Sequence, residues 1–176
     1  MSWQRRFSPR AIILIAATLV IPSVIGSFAQ APQSSPNGVY VAALRTPAHV
    51  SRSSAEVFHQ VVDGVLDQLK SKHVPLAVDP SRPMIQSEEA MPVATLLNAA
   101  KDSGAASLLV LTVDRPATSW LKLSVQAYDM SGMPLWEEHA SYGGGLNGGK
   151  AVQEVTGKIS KQLAPRFGKP GLPVAP

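Results

Sequence analysis

The sequence predicts an α/β fold, a mixed parallel and antiparallel sheet packed by three helices in the order β-α-β-α-β-β-β-α. Three observations predict it. Apolar, β-branched runs at residues 39–44 (VYVAAL) and 107–113 (SLLVLTV) are separated by segments with helical apolar spacing. The stretch WLKLSVQAY at 120–128 then switches to strict alternation, the pattern of a half-buried strand. A turn, a return strand and a last helical pattern follow, so two crossover units precede an antiparallel meander.

The elements follow in order. Residues 39–44 should form a buried strand. Ser53 opens a helix, because Ser53-x-x-Glu56 is a capping box in which two side chains satisfy free backbone N–H groups. Val57, Phe58, Val61, Val62, Val65, Leu66 and Leu69 recur every three or four residues and share one face. Lys70, Lys72 and His73 crowd the last turn, where positive charge meets the negative end of the helix dipole. Residues 74–78 (VPLAV) read as a second strand, with Pro75 tolerated near its start. Pro92 suits the first turn of a second helix with Val93, Leu96, Leu97 and Ala100 on its apolar side, and Gly104 supplies a left-handed C-cap. The run at 107–113 is that of a central strand covered on both faces.

In the meander, Leu121, Leu123, Val125 and Ala127 share one face, and Lys122, Ser124 and Gln126 the other. Residues 129–132 (DMSG) form a hairpin turn in which Gly132 can take positive φ. Residues 133–142 (MPLWEEHASY) return as the partner strand. Val152, Val155, Ile159 and Leu163 mark a third amphipathic helix, stopped by Pro165 and Gly168.

Ahead of this domain, Arg5, Arg6 and Arg10 precede an uncharged apolar run over 11–26, and small residues follow. Basic, apolar and small segments in that order make a secretory signal peptide. The run is shorter than the ~20 residues a spanning helix needs, and Pro22 interrupts its end. A cut after Ala31 would leave Pro32 at the new terminus. Ser27-Phe28-Ala29 has small residues at the same spacing, so cleavage is expected after Ala29, with Ala31 or an uncleaved anchor as alternatives. Phe7 directly after Arg5-Arg6 departs from the twin-arginine pattern and favours ordinary Sec export. The expected organisation is a signal peptide at 1–29, a polar linker at 30–38, one domain at 39–167 and an unstructured Pro/Gly-rich tail at 168–176. The mature protein is expected to be periplasmic or secreted, with no membrane span after cleavage.

The 176 residues include no cysteine, which excludes disulfides, thiolate metal sites, a cysteine nucleophile and a lipid-modified amino-terminal cysteine. Three of the sixteen Lys and Arg lie in the leader and all twelve acidic residues lie beyond it. Cleavage leaves thirteen basic against twelve acidic residues, a net +1 in place of +4. A near-neutral surface without a basic cluster argues against nucleic acid as a partner.

Candidate chemistry is sparse. Residues 144–150 (GGLNGGK) match the G-x-x-x-x-G-K part of a phosphate-binding loop, but Ala151 stands where a hydroxyl would hold magnesium. The strand before it is expected to be antiparallel and no strand follows its helix, so a connecting loop fits better. His49, His59, His73 and His139 form no pair at i, i+3 or i+4. Glu137 and His139 alternate on one strand and share a face. Glu88-Glu89 suit a helix start, and no Ser has a G-x-S-x-G setting. Trp120 and Trp136 lie on neighbouring strands as possible cross-strand partners; exposed, they and Tyr128 would form an aromatic patch, while Trp136 is expected to pack inward.

The segment at 107–142 also resembles the strand block of the TolB amino-terminal-like and CsgG-like periplasmic domains. Asp129, Gly132, Leu135 and Trp136 stand at the Asp, Gly and Leu-Trp positions of that block. The resemblance implies a non-catalytic envelope module, acting in outer-membrane secretion assemblies, as an activator of cell-wall enzymes, or in Tol-type complexes. The missing lipidation cysteine and the missing pore-forming insertions favour a soluble periplasmic adaptor. The expected function is therefore an exported interaction module that is not an enzyme. Envelope proteins are its expected partners, no cofactor or metal is expected, and Trp120, Lys122, Tyr128, Glu137 and His139 are the candidate surface. Two alternatives stand beside it: a secreted enzyme with its site at Lys122, Glu137 and His139, and a small-ligand or nucleotide-binding module using the loop at 144–150.

Overall fold

In the computed structural model the chain runs β1 (Gly38–Arg45), α1 (Arg52–Ser71), β2 (Gln86–Ser87), α2 (Val93–Asp102), β3 (Ala105–Ala117), β4 (Trp120–Asp129), β5 (Pro134–Gly143) and α3 (Gly148–Leu163), with a 3-10 turn over Ala164–Arg166. The structure describes residues 38–46, 52–77, 86–87, 91–117, 119–144 and 148–174. The leader, the linker up to Asn37, His49, the Ser53 side chain of the capping box, Val78, Glu88-Glu89 and residues 145–147 lie outside the described residues.

The expected α/β order holds. One five-stranded sheet has the order β2-β1-β3-β4-β5, with β1 parallel to both neighbours and the two later pairings antiparallel. β3 lies at its centre, and residues 107–111 are buried on both faces, as the unbroken apolar run predicts. Two helices cover one face: α1 and α3 bury Val61, Val65, Leu69, Val155, Ile159 and Leu163 against Leu109, Leu111, Leu121, Leu123 and Val125. On the other face α2 buries Leu96, Leu97 and Ala100 against Tyr40, Ala42, Leu44, Leu108 and Val110.

Two boundaries move. The second strand expected at 74–78 is reduced to one parallel bridge, Val39↔Leu76, and the strand paired to the outer end of β1 is Gln86–Ser87. The cause lies at the end of α1. The Val74 N–H donates to Leu69 O at 3.0 Å and the His73 N–H to Lys70 O at 2.9 Å, the paired bonds of a Schellman cap. Val74 is thereby committed to the helix, and Pro75 has no N–H to extend a ladder. Lys72 and His73 fall beyond the helix end, with His73 in the left-handed region at φ 55°. Gly38, assigned to the linker from sequence, is the first residue of β1, and a Cβ there would meet Ala77 N at 2.7 Å. Only a glycine lets that segment close on the strand.

The expected unstructured tail is the second correction. Residues 168–174 fold back on the sheet, with Leu172 fully buried in the core and Lys169 bridged to Leu172. The Trp136 indole N–H donates to Pro170 O at 3.2 Å, and Arg166 lies 5.6 Å over the same ring. A Pro/Gly-rich composition marks a turn, but a single leucine inserted in the core orders it. Ala175 and Pro176 lie outside the described residues.

Candidate functional site

The candidate surface is built by register. In β4 the inner face holds Leu121, Leu123, Val125 and Ala127, all buried, so Trp120, Lys122, Ser124, Gln126 and Tyr128 point to the opposite face. Pairing with β3 and β5 extends this outer face into cross-strand rows. They read Asp114–Lys122–Ser141, Thr112–Ser124–His139 and Val110–Gln126–Glu137. α2 covers Val110 and leaves the rows of Lys122 and Ser124 open for a geometric reason: a ten-residue helix spans about 15 Å, whereas a thirteen-residue strand such as β3 spans roughly 43 Å.

The hairpin that sets this register is fastened by Asp129. Its carboxylate accepts the Ser131 hydroxyl at 2.6 Å and the backbone N–H groups of Ser131 and Met133, each at 2.9 Å. These bonds, the Ser131 hydroxyl first, hold the Asp129 carboxyl below its usual pKa. Gly132, at φ 91°, closes the turn where a side chain would be strained.

On the outer face one network centres on Glu137. Its Oε1 accepts from Gln126 at 2.7 Å and Ser124 at 3.1 Å, and lies 3.3 Å from His139 Nε2. The Tyr128 hydroxyl donates to Gln126 Oε1 at 2.9 Å. Burial, and then the negative charge of Glu137, raises the Tyr128 pKa. Beside this network lies a depression of about 410 Å³, lined by Thr46, Thr112, Asp114, Lys122, His139 and Ser141 among others. Two residues before Lys122 on β4, Trp120 is 48 % exposed, its indole resting over Gly143.

No protein-family model matches the chain, and no curated protein does. Among solved structures it is similar to the dodecamer of PelC from Paraburkholderia phytofirmans, at 13 % identity and a TM-score of 0.43 over 74 % of this chain and 88 % of that one. It is similar as well to the LpoB C-terminal domain from Salmonella enterica, at 14 % identity and a TM-score of 0.34 over 65 % of this chain and 89 % of that one. At those scores neither likeness bears on what this chain does.

The candidate residues are thus partly gathered and partly separated. Lys122, Tyr128, Glu137 and His139 share the outer face, as alternation implies. The two tryptophans are not cross-strand partners: Trp120 pairs with Gly143 and Trp136 with Ala127, seven residues along β4, roughly 23 Å. They also face opposite ways, so no aromatic patch joins them. Trp136 is partly buried on the inner face, as expected, where it fastens the carboxyl-terminal turn. Tyr128, at the far end from Trp120, packs against the α2 cluster.

Thr112, Asp114 and Ser141 belong to the same face but were absent from the candidate set. Their signal was the continuing parity of SLLVLTVD, which puts Thr112 and Asp114 beside Leu108 and Val110. The glycine-rich loop has described ends only. Gly144 donates to Ser119 O at the end of β5, Gly148 opens α3, and Ala151 packs against the core. Among the described residues no strand follows α3, and no three His, Asp or Glu side chains stand together as a metal site. No described helix is long and apolar enough to cross a membrane.

Proposed function

We propose that the chain is an exported, non-catalytic interaction module of the cell envelope, of the TolB amino-terminal-like or CsgG-like kind. In this reading the leader is cleaved after Ala29, and the outer face of the β4–β5 hairpin receives an envelope protein. The observation that carries it is that face itself. Donors and acceptors of both charges stand in fixed rows on rigid strands, beside an exposed Trp120. A polar field around a shallow, open depression, with one large aromatic beside it, suits a protein surface, where aromatic anchors dominate the binding energy. The carboxylate of Glu137 is already engaged by two neighbours, which favours a structural over a general-base role.

The test is crosslinking capture from envelope fractions with the wild type and a Trp120→Ala/Lys122→Glu double variant. The wild type should retain a partner that the variant loses by at least about tenfold, the loss expected when an aromatic anchor and a neighbouring charge are removed together. Circular dichroism melting should show the variant folded as well as its parent. Equal capture by both proteins, or no envelope protein captured by either, overturns the reading.

A further inference from the structure

β5 ends the sheet, and its outer edge carries no strand among the described residues. The pairing fixes which backbone groups face that edge. The Asp129 N–H donates to Met133 O and the Gly132 N–H to Asp129 O, so the odd-numbered residues of β4 turn their backbone toward β5. They meet Glu138, Ala140 and Tyr142, opposite Val125, Leu123 and Leu121. The backbone N–H and C=O groups of Glu137, His139 and Ser141 therefore point away from the sheet. Lys158 Nζ, which donates to Ser141 O at 3.0 Å, reports the same orientation independently.

Long edges are ordinarily guarded by proline, a bulge or lysine. Here Pro134 and a register shift guard the start of β5, and Lys158 guards Ser141. Between them, residues 136–140 carry no proline, bulge or lysine among the described residues, and the one inward-facing charge, Glu138, is neutralised by Arg166.

We propose that this stretch pairs antiparallel with the same stretch of a second copy, about a two-fold axis at Glu138, joining two sheets edge to edge. The register follows from charge. Outward-facing residues must oppose outward-facing residues, so the axis passes through one residue of the strand. An axis at Glu137 opposes Glu137 to itself, and one at His139 opposes His139 to itself. An axis at Ala140 sets His139 against Ser141. Only the axis at Glu138 sets Glu137 against His139 twice, acid against base on the outer face. The same register puts the large Trp136 against the small Ala140 twice on the inner face. The two Glu138 side chains meet at the axis, each held by its own Arg166 at 2.7 and 3.0 Å, so the like charges are compensated. Pairing sets the two open outer faces side by side, doubling the field that a partner meets.

The absence of cysteine makes the register directly readable. At the axis the Cα atoms of a non-hydrogen-bonded pair lie about 4.5 Å apart, within reach of a disulfide. Glu138→Cys should therefore oxidise to a covalent dimer. Glu137→Cys and His139→Cys should crosslink when mixed, and each at least tenfold less alone, because residues two positions out of register lie beyond disulfide reach. Without any crosslink, sedimentation should show reversible dimerisation of the wild type. Glu137→Lys should weaken it at least tenfold, and Glu137→Lys/His139→Glu should restore it, because the exchange keeps opposite charges facing. A strictly monomeric wild type at high protein concentration overturns the proposal. So does crosslinking without register preference, or failure of the charge exchange to restore pairing in a variant that melts normally.

Discussion

The two faces of the β4–β5 hairpin use the same backbone for opposite purposes. Toward α1 and α3, Leu121, Leu123, Val125 and Ala127 are sealed under Val155, Ile159 and Leu163. One residue out of step, Lys122, Ser124 and Gln126 meet a polar row of Ser141, His139 and Glu137 from β5, and only Tyr128 at the hairpin end reaches the α2 cluster. The inner face removes apolar area from water and so holds the fold. The outer face spends little of that stability, since its polar groups satisfy one another or meet water. Surface chemistry can therefore change on the outer face without endangering the sheet.

The sharpest way to break this contrast is to truncate neighbours. Leu123→Ala leaves a cavity under α3 and should cost about 2–5 kcal/mol in urea unfolding, while Lys122→Ala should stay within about 0.5 kcal/mol. Comparable losses at both positions would mean that the outer face is packed after all. A smaller effect is expected at the rim of the inner face. Leu172→Ala should cost about 2 kcal/mol, the low end for a buried leucine, because a terminal turn can relax into the space. An unchanged unfolding midpoint would show that the carboxyl-terminal turn adds nothing to the core.

That turn marks the limit of what was legible in the sequence. Period-two alternation at 120–128 and period-3.6 spacing in α1 and α3 are local signals, and each element stands where its pattern puts it. The ordering of residues 168–174 depends on Leu172 entering a pocket made by distant elements and on the Trp136 indole reaching Pro170. Neither is encoded near the tail. The strand expected at 74–78 failed for a related reason: its apolar run was real, but the cap of α1 claims Val74. At the candidate site, alternation was enough to place Lys122, Glu137 and His139 on one face. Parity also carries Ser141 along β5 and Thr112 and Asp114 along β3, but joining the three strands into one set of rows depends on register.

Register is decided at the Asp129 turn, and a slip of one residue there would exchange the two faces. The smallest expected effect therefore tests the joint between them. The Asp129 carboxyl has its pKa lowered in the folded protein by the Ser131 hydroxyl and the Met133 and Ser131 N–H groups. In the unfolded chain it titrates near pH 4, about the ordinary aspartate value. A depressed folded pKa contributes stability that is complete above the unfolded value and is lost as pH falls through the folded one. Asp129→Asn keeps an acceptor oxygen for the three bonds that Oδ1 accepts and removes the charge, exchanging the other oxygen for an NH2 group. The wild type should thus unfold at a higher urea concentration than Asp129→Asn at pH 7, and the gap should close as the pH is lowered below about 4. A gap that stays constant down to pH 2.5 would mean the neutral carboxyl fastens the turn equally well, and that geometry rather than charge sets the register of both faces.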